Sequence, residues 1–110
     1  MTDPSPSPMY FFCRLLPPRP TFRLDMSPEE RAMMQEHVVY WRGLLDRGVA
    51  IVFGPVADPS GGYGVGIIRA SSREEMQALQ DGDPAIASGK GLRYEVLPML
   101  RAVHAPIAAR

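Results

Sequence analysis

The sequence predicts an α+β domain in which two helices cover one face of a four-stranded, mainly antiparallel sheet. Two segments begin with a serine followed by acidic residues, which is typical of helix starts. Four short runs rich in aromatic and β-branched residues are typical of strands. Along the 110 residues these elements alternate as strand, helix, strand, strand, helix, strand. This βαββαβ order is the ferredoxin-like arrangement.

The first strand is predicted in the apolar run MYFFCRLL, which begins at Met9. Prolines follow directly, and because proline lacks a backbone N–H donor, the strand ends before Pro17. Residues 1–8 are rich in proline and serine and bury too little apolar surface to offset the entropy of ordering. We therefore predict a disordered tail over residues 1–8 and one folded domain over residues 9–103.

The first helix is predicted to begin after Ser27, because proline follows and Glu30 stands where a capping box needs an acid. Apolar residues then recur at helical spacing until Gly48, a glycine of the kind that ends helices. The recurring residues are Met34, Val38, Trp41 and Leu45. Residues 17–26, between the first strand and this helix, are predicted to form an irregular loop.

The remaining elements are shorter. A buried strand is predicted over 49–53, a returning strand over 63–70, a second helix between Ser72 and Gly82, and a last strand over 92–100. In the last strand Leu92, Tyr94 and Val96 alternate onto one face. Pro98 indicates that the far end of this strand lies at a sheet edge or leaves the sheet. Residues 104–110 are predicted to be a frayed tail.

Composition limits the classes of function. Twelve basic and twelve acidic residues give no net charge, so no field attracts the chain to nucleic acid or to an anionic membrane. Cys13 is the only cysteine, and no segment fits a membrane span, so we expect a cytoplasmic protein. The mixed aromatic and aliphatic strands would leave one sheet face apolar and uncovered, which predicts a homodimer that closes two sheets on each other.

Histidine is the first candidate for chemistry. His104 lies in the predicted tail, where we expect a solvated side chain without a functional role. His37 lies at the margin of the apolar face of the first helix, where a histidine is either an ordinary packed residue or a functional acid or base. No second histidine or cysteine cluster stands at metal-ligand spacing, and no metal or cofactor is predicted.

Asp83, in the stretch GDPAIASGKGLRYEV, admits two interpretations. It would cap a short helix that begins at Pro84, or it would pair with a histidine elsewhere in the chain. The two are compatible, because a carboxylate has about four acceptor sites. Beside His37 it would fix the tautomer of the ring and favour the charged form, leaving the second ring nitrogen to move protons.

Three further residues are candidates for ligand contact. Trp41 and Phe12 are predicted apolar walls of a cavity between sheet and helices. Arg14 interrupts the first strand and either points into this cavity to meet an anionic ligand or lies on the outward side of an edge strand. The second placement is slightly favoured.

Two long segments resemble a known family. In EHVVYWRGLLDRGVAIVFGP (36–55) a helix with a histidine leads through a glycine into a strand ending Gly-Pro, and DGDPAIASGKGLRYEVLPM (81–99) carries an Asp-Pro turn and a final strand. With REEMQALQ (73–80) between them, they resemble the YciI-like group of the dimeric α+β barrel superfamily, over residues 9–101.

The resemblance implies a homodimer with a His/Asp active-site pair, which falls on His37 and Asp83 here. It also implies kinship with muconolactone isomerases and with a dehydrochlorinase that acts on chlorinated hydroxyquinols. Ala85 departs from the aromatic or large apolar residue usual after Asp-Pro, which alters the expected shape of the pocket.

Two functions follow as hypotheses. The first is a small enzyme of the isomerase or lyase type, in which His37 moves protons on a small cyclic or aromatic-derived compound and Asp83 orients the ring. The second is a non-catalytic dimeric module that binds a small molecule. A binding module needs the cavity but has no use for a tuned His/Asp pair.

Overall fold

The computed structural model describes residues 8–107, which form four strands and four helices. The strands are β1 (Met9–Leu16), β2 (Ala50–Val56), β3 (Tyr63–Ala70) and β4 (Arg93–Pro98). The helices are α1 (Phe22–Asp25), α2 (Pro28–Asp46), α3 (Arg73–Asp81) and α4 (Pro84–Ala87). The predicted tail over residues 1–8 lies outside the described residues except for Pro8, and so do residues 108–110 of the predicted frayed tail.

The sheet has the order β2-β3-β1-β4, and every neighbouring pair is antiparallel. This order and the positions of the helices confirm the predicted ferredoxin-like α+β fold. β4 is an edge strand, as Pro98 indicated, whereas β1 lies in the centre of the sheet. Arg14 therefore belongs to a central strand and not to an edge.

Helix α2 begins with the predicted capping box. The Ser27 hydroxyl accepts from the Glu30 N–H at 3.1 Å, and the Glu30 carboxylate accepts from the Ser27 N–H at 2.8 Å. After the helix, Gly48 adopts a φ of 73°, a left-handed conformation that favours glycine. The buried residues of α2 are Met33, His37, Trp41 and Leu44. Trp41 is buried as predicted, but the other three buried residues each lie one position before the predicted Met34, Val38 and Leu45.

Helix α1 corrects the prediction of an irregular loop over residues 17–26. The Arg19 guanidinium donates to the Asp25 carboxylate at 2.8 Å and to the Glu30 carboxylate at 2.7 Å. It therefore links α1 to the first turn of α2, an interaction that local sequence patterns did not reveal. Helix α4 begins at Pro84, as predicted, with Asp83 at its N-cap.

The core lies between the helices and one face of the sheet. In β1 the side chains of Phe11, Cys13 and Leu15 point towards the helices and are at most 4% exposed. The main core cluster consists of Phe11, Cys13, Trp41, Leu44, Ala50, Ile68, Ala70 and Met76. Burial of each large apolar side chain in such a cluster stabilises the fold by about 1.5–3 kcal/mol.

No helix within residues 8–107 covers the opposite face of the sheet, which we call the open face. Its apolar residues are Tyr10, Phe12, Val52, Val65, Ile67 and Leu97. Phe12 pairs with Ile67 on one side and Leu97 on the other, and paired residues of neighbouring strands share a face. Leu97 is 63% exposed and Val52 54% exposed. This chain alone thus leaves a contiguous apolar surface.

Trp41 lies against β3 because Gly66 has no side chain. A Cβ atom on Gly66 would stand 2.5 Å from Trp41 Cη2, closer than real atoms approach. The Phe53 ring packs on the indole with its centroid 5.6 Å away. The indole position is therefore fixed by one glycine and one aromatic ring.

Replacement of Gly66 by alanine tests this packing. We expect Gly66→Ala to destabilise the fold by about 2 kcal/mol, because an added methyl forces a packed core to rearrange. Chemical denaturation followed by the emission of Trp41, the single tryptophan, measures the change. Gly54→Ala is the matched control, since its Cβ would meet nothing within 4 Å. Equal stability of the two variants would contradict this account.

Candidate functional site

The packing of α3 against α2 brings His37, Trp41 and Asp83 together. His37 and Trp41 lie one turn apart on the buried face of α2, and Asp83 follows the end of α3. The Tyr40 hydroxyl donates to the Leu79 carbonyl at 2.8 Å, which holds the end of α3 against α2. This contact places Asp83 beside the third turn of α2. The site is therefore assembled from residues 46 positions apart in the chain.

His37 and Asp83 form a direct pair. The Nδ1 atom of His37 lies 2.9 Å from both carboxylate oxygens of Asp83. Asp83 is 1% exposed and His37 is 8% exposed, so both are removed from water. The backbone N–H of Ala85 donates to the same carboxylate at 2.9 Å. The structure thus combines the two interpretations of Asp83, as helix cap and as partner of His37.

Two more side chains donate to the carboxylate. The Trp41 Nε1–H lies 3.0 Å from Asp83 Oδ2 and 3.0 Å from the Tyr94 oxygen. The Tyr94 hydroxyl donates to Asp83 Oδ2 at 2.5 Å. With the Ala85 N–H and His37 Nδ1, four donors surround one carboxylate. About four acceptor sites exist on a carboxylate, so its capacity is filled.

These donors keep Asp83 ionised. Burial alone raises the pKa of the Asp83 carboxyl, but the hydrogen bond and charge of His37, the Tyr94 hydroxyl and the Ala85 N–H together lower it below its ordinary value. Burial and the negative charge of Asp83 raise the pKa of Tyr94 well above its ordinary range. Tyr94 therefore stays protonated and acts as a donor.

The carboxylate also determines the tautomer of His37. An ionised Asp83 can only accept, so Nδ1 of His37 carries the hydrogen between them. In the neutral ring Nε2 is then an unprotonated acceptor, and it makes no hydrogen bond within residues 8–107. The ring lines a cleft between α2 and the sheet. His37 can thus take up a proton at Nε2 while Asp83 stabilises the resulting charge.

The cleft has a volume of about 190 Å³ and mostly apolar walls. Its lining includes Leu15, Met34, Val38, Trp41, Phe53 and Pro55, together with His37 and Tyr94. Cys13 also lines it, but burial raises the pKa of the thiol to about 12, so Cys13 is not a nucleophile at neutral pH. The glycines of β3 leave room for the indole and for the space in front of it.

The structure separates two predicted ligand contacts from this cleft. Trp41 lines it, as predicted, but Phe12 and Arg14 do not. Alternate residues of a strand point to opposite faces, and both lie on the open face with their partners Leu97 and Glu95. Arg14 there lies 3.6 Å from a Glu95 carboxylate oxygen and 4.3 Å above the Tyr63 ring. Arg14 thus has the outward placement that was slightly favoured, but on a central strand and not on an edge strand.

Sequence reasoning missed Tyr94 as a site residue and the indole N–H of Trp41 as a donor. One signal was present. Tyr94 was predicted to share one strand face with the apolar Leu92 and Val96, and a buried tyrosine hydroxyl or indole N–H needs a hydrogen-bond partner. The Tyr94 hydroxyl and the Trp41 indole N–H each indicate an acceptor in the core. Asp83 is the buried carboxylate to which both donate.

Other classes of site find no counterpart among the described residues. Across residues 8–107, no three His, Cys, Asp or Glu side chains are grouped as ligands for a metal ion. None of the helices in that range combines the length and apolar character needed to cross a membrane. His104 lies outside the cleft, where its Nε2 is 3.3 Å from the Tyr10 hydroxyl.

Fold and site together define a small ferredoxin-like α+β domain with a buried His/Asp pair beside an apolar cleft. Residues 10–100 match the family model described as the YCII-related domain, so the chain belongs to the YCII-related family. This confirms the family resemblance found in the sequence. No curated protein matches the chain.

A similar solved structure is that of a protein of unknown function from Nitrosomonas europaea. The two chains are 16% identical, the alignment covers 90% of this chain and 95% of that chain, and the TM-score is 0.47.

Replacement of Asp83 by asparagine tests the ionised carboxylate. A lowered folded pKa means that its contribution is present above the unfolded pKa of about 4 and is lost as the pH falls further. We expect Asp83→Asn to cost about 3 kcal/mol near neutral pH, since it leaves buried partners unpaired. The difference from wild type should shrink below about pH 4.

Urea denaturation across this pH range measures the effect. Asp81→Asn is the control, because Asp81 is exposed and its carboxylate accepts from Gln77 at 2.8 Å on the surface of α3. A cost for Asp83→Asn that did not change with pH would contradict the ionised state of Asp83.

Proposed function

We propose that this YCII-related protein is a small cytoplasmic enzyme that performs acid-base proton transfer on a small cyclic or aromatic-derived compound. The observation that carries this proposal is the His37–Asp83 pair at 2.9 Å, placed where His37 meets an apolar cleft. A structural cap alone would not require a histidine with one nitrogen held and the other free of protein partners.

The chemistry would proceed at Nε2 of His37. This nitrogen takes a proton from a carbon next to a carbonyl, and the C–H electrons form an enolate. In an isomerisation the Nε2–H returns the proton at a different carbon. In an elimination a leaving group departs with its electron pair and the proton stays on His37 until product leaves.

Asp83 would act as a positioning residue. Its fixed negative charge stabilises the imidazolium that forms during the transfer, and its hydrogen bond holds the ring in one orientation. Trp41 and Tyr94 hold the carboxylate in turn. All donors are in place before a ligand binds, so little reorganisation is needed at the moment of reaction.

The alternative function is a non-catalytic module that binds a small molecule. The apolar lining of the cleft favours it, because such a surface binds ring compounds without any chemistry. The two functions differ in whether they require the imidazole of His37. An enzyme loses its activity without the imidazole, whereas a binder retains most of its affinity.

The butenolide α-angelica lactone is a suitable probe, since a shift of one proton converts it to its conjugated isomer. We expect the wild type to accelerate this conversion and His37→Gln to lower the rate by about 100-fold or more. His104→Gln, at the other histidine of the chain, is the control and should leave the rate unchanged. The ultraviolet absorbance of the product measures the rate.

An unchanged rate in His37→Gln would contradict the catalytic role. If the lactone shifts the Trp41 indole signal in NMR spectra but no isomer forms faster than in buffer, the binding-module function is favoured instead.

We also propose that the protein is a homodimer joined through the open face. Monomeric proteins rarely leave a large contiguous apolar surface exposed. Burial of residues such as Leu97 and Val52 against a second copy would remove the apolar surface of the open face from water. The open face lies opposite the helices, so a dimer would leave the cleft accessible.

Leu97→Arg tests this interface. A charge in the centre of an apolar interface loses its hydration, so we expect the variant to be monomeric at concentrations where the wild type is dimeric. Leu24→Arg is the control, because Leu24 is 78% exposed on α1, away from the open face. Sedimentation velocity measures the state of each. A dimeric Leu97→Arg variant would contradict the proposed interface.

A further inference from the structure

The cleft offers a ligand almost no hydrogen-bond donor. The indole N–H of Trp41 and the hydroxyl of Tyr94 are both directed at Asp83. The thiol of Cys13 points to the Phe11 carbonyl at 3.7 Å. Nδ1 of His37 is held by Asp83 as well. Among the polar side-chain atoms that line the cleft, Nε2 of His37 alone remains without a protein partner within residues 8–107.

The cleft also lacks a positive charge. No lysine or arginine of residues 8–107 lines it. Arg14, a candidate anion contact, lies on the opposite face of the sheet, 3.6 Å from a Glu95 carboxylate oxygen. The His37–Asp83 pair is negative while the imidazole is neutral, and it carries no net charge after protonation. While the imidazole is neutral, the cleft therefore does not attract an anion.

Size adds a second restriction. A cavity of about 150 Å³ with apolar walls is large enough to hold benzene. The cleft here, at about 190 Å³, therefore suits a single ring with a few substituents. The Trp41 and Phe53 rings form its aromatic wall. They would contact the face of a planar ligand.

We propose that the cleft takes an uncharged, ring-sized compound that presents one acidic hydrogen to Nε2 of His37, and that it excludes carboxylates and phosphates. The proposal rests on the proposed function only in using the free His37 nitrogen as a proton acceptor. While the imidazole is neutral, an anionic group would lose its hydration in the cleft and find no compensating donor or cation. A neutral O–H, N–H or activated C–H finds the one free acceptor.

Three probes of nearly equal size test this class of ligand. They are para-cresol, which is neutral with an acidic hydrogen; para-methylanisole, which lacks that hydrogen; and para-hydroxybenzoate, which adds a carboxylate. The indole N–H of Trp41, the single tryptophan, gives one NMR signal in the cleft. Its shift during titration yields the dissociation constant for each probe.

We expect para-cresol to bind about tenfold or more tightly than para-hydroxybenzoate, and about fivefold more tightly than para-methylanisole. Equal or tighter binding of the carboxylate would overturn the proposal. So would a failure of para-cresol to move the indole signal at millimolar concentration.

A gain of affinity provides the second test. Val38 lies at the mouth of the cleft and is 38% exposed, so a lysine there should not disturb the fold. We expect Val38→Lys to improve para-hydroxybenzoate binding by about tenfold by supplying the missing cation. Val39→Lys is the matched control, because Val39 is 69% exposed on the same helix and does not line the cleft. No gain in Val38→Lys, or an equal gain in both variants, would overturn the charge argument.

These measurements need no turnover, so they separate the two proposals. Preferred binding of para-cresol without any acceleration of lactone isomerisation would uphold the ligand class and reject the enzyme. Preferred binding of para-hydroxybenzoate together with His37-dependent isomerisation would reject the ligand class and uphold the enzyme.

Discussion

The carboxylate of Asp83 is the group on which the rest of the site depends. It is 1% exposed and accepts from α2 through His37 and Trp41, from β4 through Tyr94 and from the first turn of α4. A buried charge is costly unless it is fully hydrogen-bonded, so these elements must meet in one register. The same constraint explains why β3 carries glycine where the indole crosses it.

The chemical character of the cleft follows from that arrangement. Because the donors are directed at Asp83, the space in front of them is apolar and presents one free nitrogen. The interaction that stabilises the fold is therefore also the one that would prepare His37 for the proposed proton transfer. If the proposed function holds, stability and activity both depend on Asp83, so a variant of Asp83 needs both a stability and an activity measurement before its effect is assigned.

Local signals in the sequence were enough for much of the fold. The Ser27 capping box, the Asp83 cap and the alternation in β4 each depend on residues close in sequence, and the family resemblance linked His37 to Asp83. The sheet face on which each β1 side chain lies could not be predicted in the same way. Its residues are apolar on both faces, so alternation did not reveal on which side Arg14 lies. Tyr94 was missed as a site residue because its partner is set by tertiary packing.

The most direct test of the central claim is the nitrogen chemical shifts of the His37 ring at neutral pH, in the protein without ligand. The account predicts that the neutral form of the ring carries its hydrogen on Nδ1 and leaves Nε2 unprotonated, because an ionised Asp83 accepts at Nδ1. A neutral ring with the hydrogen on Nε2 would contradict it. Asp83 would then not hold Nδ1 as a donor, and His37 would have no free acceptor in the cleft.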